Sequence, residues 1–250
     1  MQSRPDLFSP VHGRYIEPFL GSAAAFFHLA PKRALLSDLN TRLINCYSAV
    51  RDYPSAIERH LRAYQKRHSK RFYYRERGRE YRSRSAKAAA QLIYLNRVCW
   101  NGLYRVNLKG EFNVPLGTKT NVWLEADDFY GTSALLAKVK LSACDFERSI
   151  DLARDGDFIF ADPPYTTQHN LNGFVKYNEN LFQWRDQERL ANALKRAKGR
   201  GAKFLVSNAD HESIVALYKG FSRIERLERP SVIGGRHAKR GTTTELVILG

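Results

Sequence analysis

The 250-residue chain has little cysteine, a single methionine and no apolar run longer than five residues. Runs that short exclude a membrane-spanning helix, which needs about 20 consecutive, mostly apolar residues. Cys46, Cys99 and Cys144 are odd in number, far apart and form no CxxC pair. That usage argues against a disulfide framework and a structural zinc site, and suits a reducing compartment. Met1 to Pro10 lacks the apolar core of a secretory signal. Acids are also scarce: 25 Asp and Glu face 41 Lys and Arg, a net charge of +16. With 43% hydrophobic and 12% aromatic residues, the chain is still no disordered basic tail. Its length suits one substantial α/β domain with a smaller attached module. The excess charge points to a polyanionic partner such as nucleic acid.

The charge is concentrated. Twelve Lys and Arg residues and only two acids, Glu76 and Glu80, lie between Arg59 and Lys87, so this segment carries +10 of the +16. Phe72, Tyr73, Tyr74 and Tyr81 interleave with the cations, a mixture suited to holding phosphates beside bases. The plainer alternative is a solvated helical face with its tyrosines turned to a core. A block of like charge repels itself unless a counter-charge arrives, which favours the nucleic-acid reading. A second cluster, Arg236, His237, Lys239 and Arg240, reads as a loop.

Strand-like runs at Tyr15–Phe19, Ala34–Ser37, Val139–Leu141, Phe158–Ala161 and Phe204–Ser207 alternate with helical segments. Ser22–Leu29 reads as a helix, Thr41 as the cap of another running to Val50. Leu190, Ala193, Leu194 and Ala197 fall at helical spacing within Asp186–Lys198. Ser222–Leu227 and Glu245–Leu249 suit an antiparallel pair. The alternation predicts a mostly parallel, doubly wound sheet. The stretch from about Asp52 to Tyr130 breaks that rhythm and reads as a module inserted between the second and third strands.

Two motifs carry chemistry. Glu17-Pro18-Phe19-Leu20-Gly21-Ser22-Ala23 is a strand end followed by a tight turn into a helix. Asp38, seventeen residues past Gly21, ends the next strand, where an acid can accept hydrogen bonds from a ribose. A glycine turn with a surface aspartate capping a helix explains this pair equally well. The second motif, Phe158-Ile159-Phe160-Ala161-Asp162-Pro163-Pro164-Tyr165, is more specific. An apolar strand delivers Asp162 to its carboxyl end, and two prolines hold the exit extended while removing two N–H donors. The Asp162 carboxylate and the Pro163 carbonyl can accept both hydrogens of one exocyclic amino group, and Tyr165 offers a face for a planar base.

These motifs, with Asp38, resemble those of the Dam-type (α-group, D12 class) DNA adenine-N6 methyltransferases. Tyr94 to Asn107, followed by Lys109-Gly110-Glu111-Phe112-Asn113-Val114-Pro115, resembles the start of that family's target-recognition domain. The resemblance runs from Tyr15 to Leu249 and implies a Rossmann-like methyltransferase sheet, mostly parallel with an antiparallel C-terminal strand. It implies a catalytic domain over 1–52 and 131–250 and an inserted recognition domain over 53–130. S-adenosylmethionine is the implied methyl donor, double-stranded DNA the partner, and an adenine flipped from a GATC-type site the target. No metal or membrane is implied, and the location is cytoplasmic.

The implied catalytic residues are Asp162, Pro163, Pro164 and Tyr165. Glu17, Phe19, Gly21, Asp38, Asp145, Phe146 and Asp162 are the implied donor-binding residues. Trp100, Asn101, Arg105, Asn107, Lys109 and Asn113 are the implied DNA readers, with Arg105 suited to guanine. The plainer alternatives are a phosphate contact for Arg105 and a core position for Trp100. Ser207-Asn208 also fits the family's pattern, although Asn208 can instead cap a helix before Ile214.

Two features depart from the family. Its usual Lys-Trp-x-Gly-Gly-Lys lid is either replaced by a shortened Ser9-Pro10-Val11-His12-Gly13-Arg14 or missing from Met1 to Arg14, and Ala23 replaces the first motif's second glycine. A DNA-binding protein of this fold with little activity therefore stays open, as does methylation of RNA or a protein amide.

Overall fold

The computed structural model describes residues 12–81, 84–107, 110–167, 182–230 and 242–250. Ser9 to Val11, Lys109 and the Arg236 to Arg240 cluster lie outside the described residues. The chain divides into two compact units, with boundaries at Leu39/Asn40 and Leu141/Ser142.

The first unit is built on a seven-stranded sheet of order β3-β2-β1-β4-β5-β7-β6. Its strands are β1 (Tyr15–Glu17), β2 (Ala34–Asp38), β3 (Val139–Ala143), β4 (Phe158–Ala161), β5 (Lys203–Ala209), β6 (Arg223–Pro230) and β7 (Thr242–Leu249). The unit boundary falls within β3. β1 pairs in parallel with β2 on one side and β4 on the other, and β4 pairs in parallel with β5. The antiparallel reading of the last two strands is correct: β7 runs between β5 and β6, antiparallel to both. β1 and β4 are buried at every position, as strands with both faces covered must be. The strand order reverses between β1 and β4, and the crevice outside such a switch point is where open α/β sheets bind ligands.

Among the described residues, three short helices and one long one belong to this unit: α1 (Ala24–Leu29), α7 (Phe146–Ile150), α8 (Trp184–Gly199) and α9 (Glu212–Tyr218). α1 starts two residues later than expected because Ala23 takes a left-handed conformation, φ 55°. α8 covers the sheet with the four positions read from spacing; Leu190, Ala193, Leu194 and Ala197 are all fully buried. They pack in one cluster with Ile159, Phe204, Val206 and Ile248.

The second unit is helical: α2 (Thr41–Asp52), α3 (Pro54–Arg67), α4 (Lys70–Arg77), α5 (Ala86–Val98) and α6 (Phe129–Leu136). It takes in α2 and α6, both outside or at the edge of residues 53–130. Asn40, not Thr41, caps α2; its side chain accepts the Leu43 N–H because Thr41 is already in the first turn. Pro54 opens α3, where its missing N–H costs nothing. Ser69 and Ser85 cap α4 and α5.

The aromatics of the basic block split by helix face. Phe72 and Tyr73 are buried, and Tyr73 donates to the Val114 carbonyl at 2.8 Å, whereas Tyr74 is exposed. Tyr64, Phe72 and Tyr94 meet edge to face at 5.3 to 5.5 Å. Glu76, on the same helix, is also buried and accepts from Arg79 at 2.8 Å.

Leu194→Ala should cost about 2–5 kcal/mol, since the cavity opens in the middle of the α8–sheet contact. Urea unfolding checks this: the midpoint falls while the slope is unchanged.

Candidate functional site

The chain leaves the sheet at Asp162, which is exposed, while Pro163 is buried and Tyr165 half-buried. Ser207, near the carboxyl end of neighbouring β5, donates its Oγ–H to Asp162 Oδ1. The Tyr165 hydroxyl lies 3.1 Å from that same Oγ and is also bonded to Glu245 Oε1. The next residues are clamped as well. Thr166 Oγ1 donates to the Phe182 carbonyl at 2.7 Å, and the buried Gln187 amide donates to the Thr166 carbonyl at 3.3 Å. Asn208 is fully buried and donates to Gln187 Oε1 at 3.0 Å. It is no helix cap: the His211 side chain, two residues before Ser213, takes that role for α9. The short, stiff Asp162–Tyr165 exit is thus held from β5, β7 and α8.

Three carboxyl groups share this edge. Glu17 is buried at the end of β1, accepts the Tyr15 hydroxyl at 2.9 Å, and also accepts the Phe26 N–H. Burial pushes its carboxyl up to about 8, aided by the negative field of Asp162 and opposed by those two hydrogen bonds. Glu245 is buried too; desolvation first and the Asp162 charge second push it up to about 7. Desolvation and the adjacent Glu17 together drive the Tyr15 hydroxyl far above its ordinary range.

Beside them, Asp38 accepts the Gly21 N–H at 3.1 Å, joining the turn after β1 to the end of β2. Gly21 has φ 46°, and a Cβ built there would meet only open space, so the position stays accessible to a ligand. Phe19 stacks on Phe146 at 5.2 Å and meets Phe182 edge-on at 5.6 Å. Phe146 is buried, and the Arg189 guanidinium lies 4.8 Å from its ring centre. Asp145 caps α7 by accepting the Glu147 N–H at 2.9 Å and pairs with Arg189 at 2.8 Å. Glu17, Phe19, Gly21, Asp38, Phe146 and Asp162 are therefore gathered within one unit, with Asp145 engaged by Arg189.

In the second unit, Trp100, Asn101 and Gly102 form a 3-10 turn after α5. Asn101 and Gly102 are left-handed, a conformation those two residue types tolerate best. Trp100 is 53% exposed, which removes the core reading. Leu103 and Tyr104 are exposed beside it in sequence. Val106 and Phe112 then form an antiparallel bridge. Across this pairing Arg105 Nε donates to Asn113 Oδ1 at 2.9 Å, and Asn107 donates to Glu111 at 2.7 Å. Asn107 and Asn113 line a cavity of about 560 Å³ shared with Arg42, Arg77 and Tyr81.

Glu245 was not singled out by sequence. Its one signal is an acid at the start of an apolar run, Glu245-Leu246-Val247-Ile248-Leu249, and only the antiparallel register, Ala209 opposite Glu245, shows why it matters. Among the described residues there is no group of three or more His, Cys, Asp or Glu suited to a metal ion. No helix among them is long and apolar enough to cross a membrane.

A model of the D12 class N6 adenine-specific DNA methyltransferases matches residues 6–232. The chain is 34% identical over 245 residues to the type II methyltransferase M1.LlaDCHI of Lactococcus lactis subsp. cremoris, covering 95% of this chain and 86% of that protein. It is 33% identical over 244 residues to the type II methyltransferase M.MjaIII of Methanocaldococcus jannaschii, covering 91% and 84%. It is 31% identical over 241 residues to the DNA adenine methylase of Haemophilus influenzae, covering 94% and 83%. A match over most of the chain, in a protein whose Asp-Pro-Pro-Tyr exit stands at the sheet's switch point, assigns it to a family: the chain belongs to the D12 class N6 adenine-specific DNA methyltransferases.

Proposed function

We propose that this methyltransferase uses S-adenosylmethionine to methylate N6 of an adenine flipped out of a GATC-type site in double-stranded DNA. The observation that carries the reading is the exposed Asp162 carboxylate at the carboxyl end of β4, held by Ser207 next to the half-buried Tyr165 ring. The adenine amino nitrogen is a poor nucleophile because its lone pair is delocalised into the ring. Accepting its two hydrogens at the Asp162 carboxylate and the Pro163 carbonyl favours a pyramidal nitrogen, with the lone pair turned outward. Pro164 holds that exit rigid, and Tyr165 supports the base by stacking. Rate enhancement then comes from positioning and electrostatics.

The donor set fits S-adenosylmethionine. Asp38 presents an acid at the end of β2 for ribose hydroxyls, Gly21 leaves open space above the turn, and the Asp162 carboxylate supplies negative potential for a sulfonium, with the Glu17 carboxyl buried at the end of β1. When bound, S-adenosylmethionine supplies the methyl group as an electrophile. Phe19, with Phe146 stacked on it, and Asp145 serve its adenine ring. The second unit is the target-recognition domain: Arg105, fixed in direction by Asn113, reads a guanine, while Trp100 is available for the space left by the flipped base. Asn101, Asn107 and Lys109 complete the reading set. The Asn101-Gly102-Leu103-x-Arg105-x-Asn107 pattern supports a GATC-type site. The free thiols suit a reducing cytoplasm.

Labelled methyl donor and duplexes with or without GATC test this. Label should appear as N6-methyladenine in the GATC duplex alone; label in RNA or protein would overturn the assignment. Asp162→Ala should abolish transfer while leaving DNA affinity nearly unchanged, as measured by fluorescence anisotropy. Arg105→Ala should cost about 1–3 kcal/mol at one base pair and relax choice there. Equal weakening on every duplex would make Arg105 a phosphate contact.

A further inference from the structure

Glu245 lies outside the motif that defines the site, yet the site's hydrogen bonds reach it. Three oxygen–oxygen contacts link four side chains in series: Asp162 to Ser207, Ser207 to Tyr165, and Tyr165 to Glu245. Each contact needs one hydrogen. Ser207 and Tyr165 bring one each, and an ionised carboxylate brings none. The third contact is a hydrogen bond only if one of the two carboxyl groups is protonated. With that proton on Glu245, every O–H in the series points toward Asp162. With it on Asp162, every O–H points toward Glu245. The heavy atoms are the same in both arrangements, so the series is a path along which one proton can be handed over.

We propose that Ser207 and Tyr165 form a two-hydroxyl relay that carries the proton lost by adenine N6 from Asp162 to Glu245. The proposal rests on the adenine-N6 reading above. As the N6–methyl bond forms, the electron pair of the breaking carbon–sulfur bond stays on sulfur and N6 is left with one proton too many. Asp162 takes that proton. Ser207 accepts it from Asp162 and passes its own hydrogen to the Tyr165 oxygen, and Tyr165 passes its hydrogen to the Glu245 carboxylate. Asp162 is again a carboxylate, ready for the next base, and the proton rests on a side chain that does not touch the substrate. Glu245 is thus a positioning residue, acting through Tyr165 and Ser207.

The surroundings suit this role. Ala209 on β5 and Leu227 on β6 stand opposite Glu245 in the register. On the strands packed against it, Arg223 pairs with Glu225 and Arg226 with Asp210, while Glu228 on β6 and Lys203 on β5 make no ion pair among the described residues. Glu17 on β1 is a third acid in the field of Asp162. Burial and the Asp162 charge hold the Glu245 carboxyl near 7, so it is close to half ionised at neutral pH and can both accept and release a proton.

Two measurements test the relay. Infrared titration of the ligand-free protein from about pH 5 to about pH 9 should show a protonated carboxyl band titrating near 7. The band should vanish in Glu245→Gln and shift to lower pH in Asp162→Asn, which removes the neighbouring charge. In single-turnover methylation the wild-type rate should rise with pH through the same midpoint. Glu245→Gln and Ser207→Ala should each lose that rise and run about tenfold or more slower, and the double variant should be no slower than Ser207→Ala alone. A slower Glu245→Gln that keeps the wild-type pH profile would overturn the relay and leave Glu245 a purely structural group. So would a band titrating near 7 that survives Glu245→Gln, whereas the separate Glu17 band, titrating near 8, should remain. Failure of the wild-type protein to make N6-methyladenine would instead overturn the reading on which the relay rests.

Discussion

Parallel pairing of β4 between β1 and β5 is the constraint on which the site depends. Ile159 is in register with Ile16 on one side and Phe204 on the other. Parallel neighbours end on the same edge, so Glu17, Asp162 and Asn208 arrive together although they are far apart in sequence. β7 reaches the same edge by the opposite logic. It is antiparallel to β5, so its beginning lies beside the end of β5, and Glu245 stands opposite Ala209. The apolar α8–sheet contact holds these strands in place, which is what lets acids crowd an edge where they raise one another's proton affinity.

The two units treat charge differently. In the first, arginines and acids neutralise each other on the helices: Arg189 pairs with Asp145, Glu147 and Asp186, and Arg196 with Glu147 and Asp151. In the second, part of the basic block is structural. Arg62 pairs with Glu58 and lies over Trp123, Arg79 pairs with buried Glu76, and Arg84 pairs with Asp52. Arg59, Lys66, Arg67, Lys70 and Arg71 are exposed and have no ion-pair partner among the described residues. All but Arg59, in the second turn of α3, cluster where α3 ends and α4 begins, and the field offered to a phosphate backbone is centred on that junction rather than spread over twelve equal cations.

What was legible in advance was local. The apolar strand that ends in Asp162, the helical spacing of Leu190 to Ala197, and the dense cations between Arg59 and Lys87 each follow from residues close together in the chain. What was not legible was pairing across distance. Tyr165 and Glu245 are 80 positions apart, and an acid heading an apolar strand says nothing of its partner. Tyr73 and Tyr74 are adjacent and alike, yet one is buried and the other exposed, because a single helical step of about 100° separates their faces. Asn208 has the composition of a helix cap, but the buried Gln187 amide claims it.

The sequence by itself determined the class of fold, the order of its elements and the Asp-Pro-Pro-Tyr exit, because hydrophobic period and proline stereochemistry act over a few residues. Tertiary structure alone decided which side chains complete the site. Ser207 and Glu245 meet Asp162 and Tyr165 only through strand register, and whether Glu245 holds its proton at neutral pH depends on burial and on a neighbouring charge. Both are properties of position in three dimensions, and neither is carried by the residue type.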